Sequence, residues 1–123
     1  MPASHRELLD RLLQEIERNH VYRQEGLSIA GLAEKLGAQE YLLRRVINQG
    51  LGFGNFNEFL HHYRIREACE RLRQTQGRRL PVLTIALEVG YGSIGPFNRA
   101  FKDLTGKTPT EYRQAPGDDP AGE

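Results

Sequence analysis

The chain has 123 residues, of which 38% are apolar and 27% are charged, so it is long enough for one domain or two small ones. The mean hydropathy of −0.60 leaves no run of about 20 apolar residues, which excludes a membrane-spanning helix. A single cysteine, Cys69, excludes an intramolecular disulfide and a zinc site with paired cysteines. The first residues lack the apolar stretch of a secretory signal, so we expect a cytoplasmic protein.

The net charge of +1 hides an uneven distribution of charge along the chain. Residues 39–113 carry twelve basic and seven acidic side chains, a net charge of +5, whereas the two flanks together carry −4. Arginine outnumbers lysine fourteen to three. The planar guanidinium suits bidentate contacts to phosphate and guanine, which favours a nucleic-acid partner, although a GC-rich genome produces the same excess of arginine.

Apolar residues at helical spacing predict the first two helices. The sequence Ser4–Glu7 has the pattern of a capping box, and the leucines after it predict a helix over residues 5–19. Ser28 is a suitable N-cap and Gly37 a suitable left-handed C-terminal residue, so we predict a short second helix over 29–36.

The next two predicted helices are amphipathic. A third helix over 39–49 directs its apolar residues to a core, and a different set of side chains to the opposite side: Gln39, Tyr41, Arg44 and Arg45. Asn55 then caps a helix over 56–75 that contains no proline. At the helical rise of 1.5 Å per residue this helix is about 30 Å long.

Three short helices follow a predicted break at residues 77–81. Thr84 caps a helix over 85–89, and Ser93 caps one over 94–104. A last helix begins at the capping box Thr108–Glu111, which has proline at its first helical position.

Residues 114–123 have nothing apolar to bury, so we predict a disordered tail there. No segment alternates as a strand does, and the sequence therefore predicts an all-α protein.

One supersecondary pattern occurs twice in the chain. A short helix ends at a glycine and is followed by a second helix, first over 29–49 and again over 85–104. Each first helix carries a small residue where two helices cross, Ala33 and Ala86 respectively. In a helix-turn-helix, the second helix has an apolar face that packs on the core and an opposite face with long polar side chains, and both copies meet this requirement. One copy alone favours an ordinary helical hairpin with a solvated charged face, but two copies joined by a long helix shift the balance toward DNA binding.

The second copy carries a long and specific pattern. The stretch Ile85–Ser93, followed by Phe97–Lys102, Gly106 and Thr108–Arg113, resembles the signature of the AraC/XylS family of bacterial transcription regulators. The first copy and the connecting helix also resemble that family, and the similarity covers residues 25–113. The resemblance implies a homeodomain-like fold of about seven helices, with two helix-turn-helix subdomains on a long connecting helix. We therefore expect a first helix-turn-helix subdomain with the connecting helix over 1–75, a second helix-turn-helix subdomain over 76–113 and a disordered tail over 114–123.

The resemblance also implies which side chains contact DNA. In the family, two recognition helices enter successive major-groove segments on one face of the duplex. The base contacts then come from Gln39, Tyr41, Arg44, Arg45, Ile94, Gly95, Asn98 and Arg99. We expect phosphate contacts from Asn55, Ser93, Lys102 and Thr108. Gly95 and Pro96 leave few groups to reach bases from the second recognition helix, so we expect the first to discriminate most.

The family further implies double-stranded DNA and RNA polymerase as partners, usually in transcription activation. Most family members also have a sensor or dimerisation domain, and residues 1–24 suffice for only one helix. We interpret the chain as an excised C-terminal part of a longer regulator, with a stand-alone regulator as the alternative. No cofactor is expected.

Two other classes of function stay open: a helical protein-interaction module with an arginine-rich face, and an RNA binder. No exposed apolar patch is evident for the former, and Tyr41 is the only suitable aromatic for the latter. His62 and Cys69 share a helical face without further ligands, so we expect no metal site. The glycines of Gly50–Gly54 lack the strand and lysine of a phosphate loop. No catalytic constellation is present, which argues against an enzyme.

Overall fold

The computed structural model describes residues 2–74 and 80–114, and in these ranges the only regular structure is helical. The predicted all-α fold is therefore confirmed. A 3-10 turn spans Val21–Arg23, and a π-helical segment spans Val46–Gly50. None of the helices in the described ranges is long and apolar enough to cross a membrane. The α-helices are α1 (Pro2–Glu17), α2 (Ile29–Leu36), α3 (Glu40–Arg45), α4 (Phe56–Arg73), α5 (Val82–Glu88), α6 (Ile94–Thr105) and α7 (Pro109–Arg113).

The chain forms two compact units, Met1–Tyr63 and Arg64–Glu123. The sequence-based division at residue 75 assigns the whole connecting helix to the first unit, whereas the structure divides the chain within α4. The reason is that the two halves of α4 bury side chains in different cores. Phe59 and Leu60 belong to the first core, and Ile65, Ala68 and Leu72 to the second.

In the first unit, α1 packs on the α2–α3 hairpin. Leu8, Leu12 and Ile16 recur along one stripe of α1 and are buried. The Arg11 guanidinium donates a hydrogen bond of 2.6 Å to the carbonyl oxygen of Leu36, one of the carbonyls that the end of α2 leaves without a helical partner. This contact fixes the end of α2, and thus the turn that leads into α3.

In the second unit, α4, α5, α6 and α7 surround an aromatic core. The ring of Phe101 lies 5.6 Å from that of Phe97 and 5.5 Å from that of Tyr112. An ion pair of 2.9 Å joins Arg71 to Glu67 on the same helix, and Arg71 also pairs with Glu88 of α5. The arginine therefore fixes α5 to the second half of α4.

Three of the predicted helix starts have the expected caps. Ser28 Oγ accepts a hydrogen bond of 3.0 Å from the backbone N–H of Gly31, and Asn55 Oδ1 accepts one of 2.9 Å from that of Glu58. Thr108 and Glu111 form the complete capping box at the start of α7.

Two predicted starts are wrong. α1 begins at Pro2, so Ser4 lies inside the helix instead of capping it. Proline has no backbone N–H to lose, and the first turn of a helix tolerates it for that reason. α5 begins at Val82 after Pro81, which places Thr84 inside the helix as well. The predicted break lies mostly outside the described residues, and so does the predicted tail beyond Gln114.

Candidate nucleic-acid interface

The turn between α2 and α3 is closed by backbone hydrogen bonds around one glycine. Gly37 adopts the left-handed conformation with φ of 63°, which a side chain would disfavour. The N–H of Ala38 then donates a hydrogen bond of 3.0 Å to the carbonyl of Ala33. This arrangement ends α2 sharply and directs the chain into α3.

The turn between α5 and α6 has the same closing bond. The N–H of Tyr91 donates a hydrogen bond of 3.0 Å to the carbonyl of Ala86, and Gly90 lies at the position that Gly37 occupies in the first turn. Gly90 also has a positive φ, of 122°. Each closing carbonyl belongs to the small residue, Ala33 or Ala86, that the sequence places at the helix crossing. The two copies are therefore equivalent helix-turn-helix hairpins, one in each unit.

The second helices of the two hairpins, α3 and α6, bury their side chains in the same register. Leu43 in α3 and Phe97 in α6 are each fully buried three residues after the start of the helix. The buried pair Val46 and Ile47 corresponds to Ala100 and Phe101. This register pairs each outward residue of the first unit with one of the second: Glu40 with Ile94, Tyr41 with Gly95, Arg44 with Asn98, Arg45 with Arg99, and Asn48 with Lys102.

The predicted base-contacting residues of the first unit lie together on the outward face of α3. Gln39 is the N-cap residue and makes no capping hydrogen bond with its side chain. Tyr41 is 59% exposed, which is unusual for a large aromatic side chain. Arg44 and Arg45 are exposed near the end of the helix, at its basic last turn.

The two arginines of α3 differ in their surroundings. Arg44 Nη2 donates a hydrogen bond of 2.6 Å to Glu40 Oε1, one helical turn earlier. Both side chains are exposed, 63% for Arg44 and 43% for Glu40, so the pair stabilises the helix by only about 0.3–0.5 kcal/mol. Arg45 has no such partner among the contacts of the described residues. Glu40 is not among the residues predicted from the sequence, although its spacing of four residues from Arg44 is the signal for such a pair.

A π-helical segment continues α3 from Val46 to Gly50, which the sequence analysis did not foresee. The N–H of Leu51 donates to the carbonyl of Val46, five residues earlier, at 3.0 Å. Asn48 Nδ2 donates a hydrogen bond of 3.0 Å to the carbonyl of Phe53 and so holds the glycine-containing loop after the helix. Asn48 therefore has a structural role.

The predicted DNA-contacting residues of the second unit lie at the start and on the outward face of α6. Ser93 occupies the N-cap position with an extended backbone, but its side chain makes no capping hydrogen bond. Ile94 is 36% exposed, and Asn98, Arg99 and Lys102 are exposed. Gly95 lies in open surroundings, because a Cβ there would contact only the Arg99 guanidinium, at 3.6 Å.

The other two predicted phosphate contacts lie at helix starts outside the recognition helices. Asn55 caps α4 with its side-chain oxygen, and Thr108 caps α7 within the capping box. The backbone N–H of Thr108 donates to the Glu111 carboxylate at 2.9 Å. Hydrogen bonds from the backbone and then the side chain of Thr108 lower the pKa of Glu111, with smaller contributions from Lys102 and Lys107. A phosphate at this N-terminus would compete with the Glu111 carboxylate for the same N–H.

The described residues contain no group of three or more His, Cys, Asp and Glu side chains that could hold a metal ion. The His62 ring lies 5.1 Å from Phe53 and 4.8 Å from Tyr63, so it packs among aromatic side chains. Most of the exposed polar groups of α3 and α6 carry donors, which suit the acceptors of base edges and phosphates, whereas Glu40 and Asp103 are exposed acceptors.

Two equivalent helix-turn-helix hairpins, each with an exposed polar second helix, define a bipartite helix-turn-helix protein. The helix-turn-helix domain family matches residues 32–115. The chain belongs to the AraC-type branch of this family, the DNA-binding transcription regulators.

Several known proteins are similar to the chain. An uncharacterized HTH-type transcriptional regulator of Staphylococcus aureus is 35% identical over 112 residues, which are 91% of this chain and 14% of the relative. The regulatory protein SoxS of Salmonella typhimurium is 31% identical over 114 residues, 89% of this chain and 96% of SoxS. The C-terminal domain of AraT, a response regulator from Geobacillus stearothermophilus, superimposes with a TM-score of 0.74 at 34% identity, covering 86% of this chain and 83% of that domain. The chain thus spans most of SoxS but only a small part of the staphylococcal relative.

Proposed function

We propose that each helix-turn-helix unit inserts its second helix into a major-groove segment of duplex DNA, and that the chain reads an asymmetric site. The observation that carries this proposal is the shared register of α3 and α6. The positions buried in α3 and its continuation are also buried in α6, yet the outward residues differ. Two different reading surfaces on one chain favour a site without two-fold symmetry.

Within this proposal the outward residues have two roles. Gln39, Tyr41, Arg44 and Arg45 contact bases from α3, and Ile94, Gly95, Asn98 and Arg99 line the groove from α6. Asn55, Ser93, Lys102 and Thr108 contact phosphates and orient the units without sequence preference. Only Ser93 gains support from the capping pattern, because its hydroxyl makes no capping hydrogen bond; Asn55 and Thr108 use their side chains as caps and would give up those bonds to contact a phosphate.

We also propose that the chain activates transcription together with RNA polymerase, in a protein that includes a sensor domain. Membership in the AraC-type family supports the proposed activation of transcription with RNA polymerase. The similarity to AraT supports the proposed sensor domain, because the matched part of AraT is the C-terminal domain of a response regulator.

Binding to duplex DNA as a function of salt tests the proposal. The chain should select a common site from random duplexes, and its affinity for that site should fall steeply with salt. About six to eight phosphate contacts give a slope of roughly −5 to −7 in the logarithm of affinity against the logarithm of salt concentration. A flat salt response, or equal binding to RNA or an acidic protein, would contradict DNA recognition.

A protein-interaction surface is the second candidate function. The sequence analysis found no exposed apolar patch, but Leu83 and Leu87 lie one turn apart on α5 and are 50% and 48% exposed. Replacing both leucines by serine separates the two candidates. The double variant should keep its DNA affinity if these side chains serve only a protein partner, and it should then fail to activate transcription in vitro with purified RNA polymerase.

A further inference from the structure

The Glu40–Arg44 pair presents hydrogen-bond donors and an acceptor side by side on the outward face of α3. Glu40 Oε1 accepts the bond from Arg44 Nη2, at 2.6 Å. No described residue donates to Glu40 Oε2, and the remaining N–H groups of Arg44 have no recorded acceptor in the same part of the chain. The pair therefore offers a row of groups for recognition, with unused donors on Arg44 beside an unused acceptor on Glu40.

This row is complementary to one base pair in the major groove. Guanine shows two acceptors there, N7 and O6, and its partner cytosine shows one donor, the N4 amino group. A pair with adenine and thymine places a donor where guanine has O6, and an acceptor where cytosine has its amino group. The arrangement of Glu40 and Arg44 thus matches a G·C pair and conflicts with an A·T pair at two positions.

We infer that Glu40 is a specificity-determining residue, and that Glu40 and Arg44 together read one G·C base pair. Arg44 donates to guanine, and Glu40 Oε2 accepts from the cytosine amino group. This inference rests on the proposed insertion of α3 into the major groove. A carboxylate beside DNA phosphates weakens binding to all sequences, and a gain in discrimination between base pairs would offset that loss.

The bond to Arg44 also orients Glu40. A lone glutamate at the first position of a helix has several rotamers, and each of them places its carboxylate differently relative to the bases. The 2.6 Å contact favours the rotamers in which the two side chains lie together, and insertion of the pair into a groove would select that arrangement. Arg45, at the neighbouring outward position, is left to make an independent base contact.

Base preference of the Glu40→Gln variant tests the inference. Wild-type and variant chains would first select sites from random duplexes, and their affinities would then be measured for the four base pairs at each selected position. The variant amide has an N–H donor in place of one carboxylate oxygen. It can therefore donate to the thymine O4 acceptor, which repels the carboxylate. We expect discrimination between G·C and A·T to fall about tenfold at one base pair and to stay unchanged elsewhere.

The matched control is Glu34→Gln, which removes the same charge from an exposed residue of α2. Both variants should bind all duplexes more tightly, because each removes one negative charge, but only Glu40→Gln should change base preference. Arg44→Ala should lose discrimination at the same base pair as Glu40→Gln.

The outcomes separate this inference from the proposed function. If wild-type chain selects no sequence, both are overturned. If it selects a site and Glu40→Gln retains every base preference, only the role of Glu40 is overturned. A pair that merely stabilises the helix would instead lower the melting temperature of the variant and weaken all sequences alike.

Discussion

The guanidinium of Arg64 lies over the ring of Tyr91, with its carbon atom 5.3 Å from the ring centroid. Arg64 belongs to α4, and Tyr91 directly follows the turn of the second hairpin. Both side chains are buried, at 7% and 4% exposure. A desolvated guanidinium over an aromatic face is a stabilising contact, and here it fixes the second hairpin to the half of α4 that belongs to the same unit.

Tyr91 makes the stability of the second unit sensitive to alkaline pH. Burial raises the pKa of Tyr91 to about 12, and the charge of Arg64 opposes this only in part. In the unfolded chain the group ionises near its ordinary pKa of about 10. Between these values the unfolded state loses a proton that the folded state keeps, so stability is complete below pH 10 and falls as the pH rises toward 12.

Denaturant unfolding from pH 8 upward measures this effect. Tyr91→Phe should flatten the fall in the free energy of unfolding above pH 10. Tyr41→Phe is the matched control, because it removes the same hydroxyl from an exposed side chain. Equal profiles for wild type and Tyr91→Phe would contradict the assignment.

The core of the first hairpin depends on Leu43, which is fully buried in α3. Leu43→Ala leaves a cavity behind the recognition helix and should lower the free energy of unfolding by about 2–5 kcal/mol. Leu104→Ala in α6 removes the same atoms from an exposed site and should change it by less than about 0.5 kcal/mol. Thermal or denaturant melts of the two variants give the comparison.

Most of the fold follows from the sequence because its signals are local. Ser28, Gly37 and the capping box at Thr108 act within one turn of the helices they delimit, and the apolar spacing sets which faces are buried. The start of α5 could not be predicted in the same way. Thr84 is a good cap in isolation, but Pro81 already supplies an extended residue before the helix, and Val82 packs against the second core.

The candidate interface was only partly predictable from the sequence. Its outward residues follow from the apolar periodicity, since the opposite face of α3 is buried. The bond between Glu40 and Arg44 depends on which rotamers the two side chains adopt. The use of Asn48 in holding the loop at Phe53 depends on the π-helical segment, which has no short sequence pattern.

Arg45 and Lys102 should have different effects on DNA recognition. A bidentate contact from Arg45 to guanine is worth about 1–3 kcal/mol of discrimination, so Arg45→Ala should relax the preference at one base pair. Lys102→Ala should weaken all sequences alike and reduce the salt slope by about one. Competition binding with selected and scrambled duplexes distinguishes the two effects. The assignment fails if neither Arg44→Ala nor Arg45→Ala alters sequence preference.

The DNA site should contain two different contact blocks about 10 base pairs apart, without a palindrome. The lack of a palindrome follows because α3 and α6 expose different residues on one chain, and the spacing is the separation of successive major-groove segments on one face of B-DNA. Footprinting of the selected site, together with the stoichiometry of the complex, tests it. One chain per specific site is the expected result, and a two-fold symmetric footprint that needs two chains would be decisive against it.

The open surroundings of Gly95 leave room for a side chain at an outward position of α6. Gly95 has the same place in α6 that the exposed Tyr41 has in α3, and a Cβ there would meet only a flexible guanidinium. A side chain at this position should improve helix propensity by up to about 1 kcal/mol relative to glycine. If α6 enters the major groove as proposed, one substitution here would add a base contact without loss of folding. Duplicated copies of such a regulator have a short evolutionary route to separate target promoters.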